Sequence, residues 1–498
     1  MAHTTHDADR DRTIVVRDPF TGELLAELPH AGPDDIAQAI DGAESAFGPW
    51  SRTRSHERSA LLNALADALS ARGGEFAELI AGESGKPITY AESEVARSVT
   101  VFRWAAAETL RFAGELVRTD AESFGRAGFG IHARVPRGVL LGITPYNWPL
   151  LTVAHKVAPA LAVGCTMIVK PSVFTPLTAL RLAGLMRECD APEGLMPVVL
   201  ADDSDTVRLT QSSSVAMVTF TGSPQVGARI RAQAVDRPVT LELGGNAWVG
   251  VFPDVDPQFF PHIVRRITAT GFGYAGQGCL SVQNVAVWHP RAEEFIGLLR
   301  AATRDLPYGA TRAREVISGP VIDSRAAARI GREVDIASRA YEIVRSVNLV
   351  GMPAAENKDL LIPPSLVVMD RLPSTASITE EEIFGPVVTV SRFEGVDQFV
   401  AQVNASRYGL QTGIFTDHWP TIERVHREAH VGAVMVNDVS TLRYDHVPFG
   451  GGILDSGQGR EGVRYAMEEM TQSRFLAVSA SLPFAPPGTA LRPPLGAR

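Results

Sequence analysis

The sequence predicts an α/β protein with mostly parallel sheets, divided into two or three domains. Two observations predict it. Helical and strand-like hydrophobic periods alternate along the chain, the grammar of sheets joined by crossover helices. The chain has 498 residues, 45% of them hydrophobic, about three ordinary domains' worth with ample material for large cores.

The elements follow in order. Asp18-Pro19-Phe20-Thr21-Gly22-Glu23 reads as a turn between short strands. Amphipathic periods predict helices over 33–47, over 54–80 with a break at Gly73-Gly74, and over 88–116. Residues 117–137 read as short alternating strands around Gly125 and Gly128, an arm able to pack on its own domain or reach a partner subunit. From Gly138 strand and helix alternate: strands 139–143, 166–170, 198–200, 215–220 and 239–243, with helices 151–162, 177–186 and 225–233. This is the pattern of a doubly wound sheet, where ligands collect at the carboxyl ends of the strands. A second series begins near Trp248, with strands 282–287, 387–390, 412–415 and 433–436 and helices 326–344 and 396–403. The termini, 1–12 and 481–498, read as flexible.

Composition excludes several function classes. The net charge is -9 and no block of like charges stands out, which argues against nucleic acid or a membrane surface as partner. Three cysteines, Cys165, Cys189 and Cys279, are too few and too odd in number for a disulfide framework. No apolar segment follows the first residues, and the longest apolar stretch, 150–169, is interrupted by His155, Lys156 and Pro159. A cytoplasmic protein without a signal peptide is expected.

Several short segments have the residue types that chemistry needs. Gly276-Gln277-Gly278-Cys279 places a thiol on a tight, small-residue turn with room for a substrate, although an isolated cysteine is more often a small buried hydrophobe. Cys165 and Cys189 read as such. Glu242-Leu243-Gly244-Gly245-Asn246 puts a carboxylate at a strand end, where it serves as a general base or as an ordinary solvated charge. In Thr144-Pro145-Tyr146-Asn147-Trp148-Pro149 two prolines stiffen a loop around an amide donor, suited to an oxyanion or to its own turn. Phe220-Thr221-Gly222-Ser223-Pro224 joins a strand to a helix whose N-cap is Ser223 and whose free N–H groups suit a pyrophosphate. Lys170-Pro171-Ser172 ends another strand, and Glu381-Glu382-Ile383-Phe384-Gly385-Pro386 enters one. Pro448-Phe449-Gly450-Gly451 and Ser456-Gly457-Gln458-Gly459-Arg460-Glu461 form a glycine-rich loop before the last helix. No metal-ligand spacing is found.

Taken together and in this order, these motifs resemble the aldehyde dehydrogenase superfamily, from Asp18-Pro19 to the strand near Phe475. The resemblance implies a Rossmann-like cofactor domain (13–116 and 138–244), an α/β catalytic domain (245–470) and a small β oligomerisation arm (117–137 and 471–480). It implies NAD or NADP as cofactor, a small-molecule aldehyde as substrate, and a homodimer or homotetramer. Thr144, Pro145, Lys170, Ser172, Gly222, Ser223, Gly244, Glu382 and Phe384 match cofactor-binding positions. By the same resemblance Cys279 attacks the carbonyl, and Asn147 with the Cys279 N–H holds the oxyanion. Hydride then passes to the nicotinamide, Glu242 activates the water that hydrolyses the thioester, and Glu461 supports a proton path.

Departures narrow the expectation. Val173 stands where NAD-preferring members often have glutamate, so a 2′-phosphate is not repelled. The usual lysine of the Pro-Phe-Gly-Gly loop is missing, and Gly452-Ile453-Leu454-Asp455 carries one inserted residue. The run from Gly459 to Thr471 and Arg443-Tyr444-Asp445-His446 are similar to lactaldehyde, phosphonoacetaldehyde and non-phosphorylating glyceraldehyde-3-phosphate dehydrogenases. Arg111, Arg443 and Arg464 then become candidate substrate residues beside Tyr146 and Trp148, and a small polar or anionic aldehyde is expected. Gly278, where phosphate-binding relatives have arginine, and the bulk of Trp148 speak for a more apolar pocket. The alternatives are a CoA-acylating semialdehyde dehydrogenase, whose members usually lack the base glutamate, and a non-catalytic protein that kept the fold.

Overall fold

The computed structural model describes residues 13–121, 123, 128–372, 377–450 and 455–479. The expected flexible termini, Gly125 and the loop 451–454 lie outside the described residues.

A five-stranded sheet has the order Gly457–Gln458, Val239–Glu242, Val215–Thr221, Val139–Ile143, Thr166–Lys170. The last four are mutually parallel and the first joins antiparallel. Val139–Ile143 is buried at every position, because helices cover both faces of a parallel sheet and alternation is lost. One face packs on Ser55–Ala71, Gly73–Ser84, Ile88–Thr109 and Leu151–Val163, the other on Pro33–Ser51, Asp203–Gln211 and Pro224–Gln233. Strand order reverses between Val139–Ile143 and Val215–Thr221, so a crevice opens beyond their carboxyl ends.

A seven-stranded sheet has the order Glu342–Arg345, Ser365–Val368, Val387–Phe393, Val282–Trp288, Ala247–Val251, Gln411–Phe415, Ala433–Val436. All its pairs are parallel except the first. Only Leu243, Gly244, Gly245 and Asn246 connect Glu242 to Ala247. So short a link sets the carboxyl edge of the first sheet against the amino edge of the second, and the crevice lies between them. Thr471–Ser479, Gly128–Pro136 and Glu115–Arg118 form a separate antiparallel sheet.

Four expectations change. The helix predicted over 88–116 ends at Thr109. Beyond it a Cβ on Gly114 would lie 1.8 Å from the His132 carbonyl, and Glu115–Arg118 joins the arm as a strand. The helix predicted over 326–344 stops at Ala337, and Glu342–Arg345 pairs as an edge strand. Residues 198–200 contribute only a bridge between Val198 and Val169, since Pro197 has no N–H for a ladder. The segment from Gly457 to Met470, expected in the second unit, rejoins the first. Gly457–Gln458 extends the first sheet, and Val463, Ala466, Met467 and Met470 enter its core. Asp203–Gln211, Phe260–Gly271 and Ala292–Arg304 are helices beyond those expected. Among the described residues no helix is long and apolar enough to cross a membrane.

Candidate active site

Between the two sheets lies a cavity of about 910 Å³. It is lined by Cys279, Asn147, Glu242 and Glu461, by Thr144, Pro145, Lys170, Ser172, Gly222, Ser223, Gly244, Glu382 and Phe384, and by Tyr146, Trp148 and Arg443. Residues from eight separate motifs therefore meet in one place.

Cys279 stands at the amino edge of the second sheet, just before Val282–Trp288. The turn ahead of it is tight: Tyr274, Ala275 and Gly276 all have positive φ, a conformation that costs energy at the two non-glycine positions. A Cβ on Gly276 would lie 2.0 Å from the Gly385 carbonyl, and one on Gly245 2.0 Å from that of Cys279. Gly245 lets the interdomain link meet the cysteine turn, and Gly276 lets that turn meet the segment of Gly385. Asn147 is buried, and its Nδ2 donates to the Gln277 carbonyl at 2.8 Å. The same Gln277 accepts from Ile322 N at 3.0 Å through Oε1. The amide loop is thus tied directly to the thiol's turn, and among the described residues this is the bond that Asn147 Nδ2 makes, so its second hydrogen can serve a ligand. Burial pushes the Cys279 thiol up to about 12; Glu382 adds to this and Arg443 opposes it.

Glu242 and Glu461 form a coupled pair of buried carboxyls with opposite fates. Neither oxygen of Glu242 has a hydrogen-bond partner among the described residues. Burial, then the charge of Glu461, raises its carboxyl well above the usual range. Burial works the same way on Glu461, but Lys156 and Arg443 outweigh it and hold this carboxyl down. Lys156 Nζ lies 2.8 Å from Oε1 and Arg443 Nη2 3.2 Å from Oε2. A Cβ on Gly450, whose φ is 84°, would lie 2.0 Å from Glu242 Oε1. Glycine is required there for the carboxylate to occupy its place.

The carboxyl edge of the first sheet fits a dinucleotide. Ser223 Oγ accepts from Val226 N at 3.4 Å and caps Pro224–Gln233, whose N-terminus faces the cavity. A Cβ on Gly222 would lie 2.5 Å from the Phe220 ring, and one on Gly244 2.6 Å from Glu382 Oε2. Thr144 Oγ1 and Thr221 Oγ1, at the two strand ends that flank the reversal, are buried without a partner among the described residues. Such orphaned oxygens in a crevice suit a polar ligand. Glu382 Oε1 accepts from Gly245 N at 3.0 Å, and burial raises this carboxyl to about 7. Phe384 has a positive φ of 45° and packs edge-on against Tyr146.

Two substrate candidates lie elsewhere. Arg111 follows the end of its helix, is exposed and pairs with Glu108. Arg464 is exposed and lies 3.7 Å from Glu108 and 3.3 Å from Glu468. Neither lines the cavity; both are exposed and pair with the buried Glu108. Arg97, not singled out in the sequence, does line it. Its Nη2 donates to Asp445 Oδ1 at 2.7 Å, and His155 Nε2 donates to the same oxygen at 3.0 Å. Burial raises the Asp445 carboxyl, but the hydrogen bonds from His155 and Arg97 overcome this and keep it well below the usual range. Burial, assisted by Arg443, lowers the His155 imidazole. The available signal was His155-Lys156 inside an otherwise apolar helix.

Residues 5–476 match the family model described as the aldehyde dehydrogenase family. The 3-sulfolactaldehyde dehydrogenase of Priestia aryabhattai is 34% identical over 469 residues, covering 93% of this chain and 94% of the relative. A crystal structure of aldehyde dehydrogenase 21 from Physcomitrella patens, in complex with the reaction product succinate, is similar with a TM-score of 0.88 and 33% identity, covering 96% and 97% of the two chains. The NADP-dependent glyceraldehyde-3-phosphate dehydrogenase of Bacillus halodurans C-125, complexed with NADP, gives a TM-score of 0.87 at 30% identity, covering 94% and 96%. The chain belongs to the aldehyde dehydrogenase family and is an NAD(P)-dependent enzyme that oxidises aldehydes.

Proposed function

We propose that this enzyme converts a small anionic aldehyde to its carboxylic acid through a thioester on Cys279. The observation that carries the reading is the meeting of thiol, amide and unpartnered carboxyl in one cavity. NAD or NADP would be held by Lys170, Ser172, Gly222, Ser223, Gly244 and Glu382, with Thr144, Pro145 and Phe384 on the same wall of the cavity, and when bound would supply the hydride acceptor. The Cys279 sulfur adds to the carbonyl carbon. A thiol is a poor nucleophile until its proton leaves; burial raises that of Cys279, and the half-buried side chain releases its proton to solvent as the sulfur adds. The free hydrogen of the Asn147 amide and the Cys279 N–H steady the oxyanion, where a fixed donor outperforms water. Glu242 then takes a proton from water, which attacks the thioester and releases the acid. Glu461, kept ionised by Lys156 and Arg443, raises the Glu242 carboxyl, so that once its own proton has left to solvent Glu242 is a stronger base toward that water.

The anionic tail is argued from the far end of the cavity. Arg97 and Arg443 both line it, whereas of the carboxylates that pair with them, Asp445 and Glu461, only Glu461 does. Arg97 spends two of its five donors on Asp445, which leaves others for a carboxylate, phosphonate, phosphate or sulfonate. The relatives whose names carry sulfolactaldehyde and succinate act on, or release, acids of this kind. Trp148 narrows the cavity and favours short chains. The arm's exposed Leu116, Phe129, Phe475 and Leu476 support assembly into a homodimer or homotetramer. The test is a panel of neutral and anionic aldehydes of matched length, run with NAD+ and with NADP+ and without CoA. Anionic members are expected to be preferred, and Cys279→Ala to be inactive. Equal kcat/KM for neutral and anionic aldehydes removes the tail assignment, and turnover by Cys279→Ala removes the mechanism.

A further inference from the structure

Lys86 and Glu94 form an ion pair whose side chains are both fully buried, apart from the groups assigned to the reaction. Lys86 follows Gly85, whose φ of 69° ends the helix Gly73–Ser84, and Glu94 lies in Ile88–Thr109. A buried pair is a weak way to stabilise a core, because desolvation offsets most of the attraction. Each partner also reaches an active-site loop. Glu94 Oε1 accepts from Leu150 N at 2.9 Å and Leu151 N at 3.0 Å. It thereby caps the helix that carries His155 and Lys156. The Lys86 ammonium lies 3.8 Å from the centroid of the Trp148 ring and 4.6 Å from that of Tyr274. Trp148 is the neighbour of Asn147. Tyr274 opens the positive-φ turn that leads to Cys279, and its hydroxyl donates to Ser84 O at 3.1 Å.

We propose that Lys86, held by Glu94, is a positioning residue for aldehyde oxidation, setting the Asn147 loop and the Cys279 turn at a fixed separation by gripping one aromatic ring from each. The inference rests on the roles proposed above for Asn147 and Cys279. Cation–ring attraction is strongest where water is excluded, and both rings meet the ammonium inside the protein. Losing the grip lets the amide drift from the place of the oxyanion, which weakens transition-state binding while the dinucleotide end stays intact.

The test uses the full-length enzyme with Lys86→Met, Trp148→Leu and the pair of changes together. Folding is checked by circular dichroism and thermal melting. Lys86→Met is expected to lower kcat about tenfold or more, as ångström-scale misplacement does, with KM for the dinucleotide unchanged. The two single losses are expected to fall short of multiplying in the double variant, since they share the Lys86–Trp148 contact. A folded Lys86→Met enzyme with normal kcat, or losses that multiply, overturns the proposal. Should Lys86→Met not fold, Tyr274→Leu with Trp148→Leu leaves the ion pair in place and gives the same cycle, with the same two outcomes. Cys279→Ala is assayed alongside. Activity there would overturn the nucleophile assignment, whereas an inactive Cys279→Ala beside a normal Lys86→Met overturns the positioning role alone.

Discussion

Gly450→Ala addresses the hydrolytic half of the reaction without touching the thiol. The added methyl would lie 2.0 Å from Glu242 Oε1, against an ordinary contact of at least 3.4 Å. Either the carboxylate or the loop must therefore move by about 1.4 Å. The backbone at φ 84° belongs to the left-handed region, where alanine costs roughly 1–2 kcal/mol. In a protein of this size that lowers Tm by only a few degrees. Glu242 is the softer partner, because neither oxygen is held by a hydrogen bond among the described residues, so it is displaced first. Displacement of a general base by an ångström costs about a hundredfold in rate. Thioester formation on Cys279 does not use Glu242, so rapid mixing with saturating aldehyde and dinucleotide should show a burst of reduced cofactor near one equivalent per subunit. A steady state about a hundredfold slower should follow. A folded variant with unaltered steady-state turnover refutes the reasoning. A burst slowed as much as the steady state also refutes it, because the base would then act before the thioester forms.

Three further outcomes are expected. In Glu461→Gln the acid limb of the pH profile of kcat should move to lower pH. Glu242 works only when deprotonated, the charge of Glu461 raises its carboxyl, and Lys156 and Arg443 then lower it unopposed; a limb that stays or moves upward contradicts the coupling. Arg97→Met should raise KM for anionic aldehydes about ten- to a hundredfold, the worth of a charged hydrogen bond, and leave neutral aldehydes unchanged; equal effects on both classes, measured by initial rates, would count against the anion assignment. Val173→Glu, on the cavity wall beside Ser172, should lower kcat/KM with NADP+ far more than with NAD+, since a carboxylate repels a 2′-phosphate; an unchanged ratio places the phosphate elsewhere.

Much of the molecule was legible in order along the chain. Strands such as Val139–Ile143 and Thr166–Lys170 and helices such as Leu151–Val163 announce themselves by local period, which depends on neighbouring residues alone. The motifs around Cys279, Asn147 and Glu242 carried the family resemblance for a similar reason. Each is a short backbone device, a glycine turn, a proline-stiffened loop or a strand end, written in consecutive residues.

What the sequence left open depends on residues far apart in the chain. Whether 342–345 is helix or strand was decided by the vacant edge of Ser365–Val368, and the return of Gly457–Gln458 to the first sheet by the open edge of Val239–Glu242. Arginines at 111, 443 and 464 look alike as letters. Only packing turns Arg443 toward Glu461 inside the cavity, leaves the other two with Glu108 on the surface, and brings in Arg97 through Asp445, 348 residues away. The chain alone determined which reactive groups exist and on what local backbone each is carried. Burial and charge summed over distant segments decided which of two buried glutamates is raised, Glu242, and which is held down, Glu461, because desolvation and Coulomb energy depend on distance through space and not along the sequence.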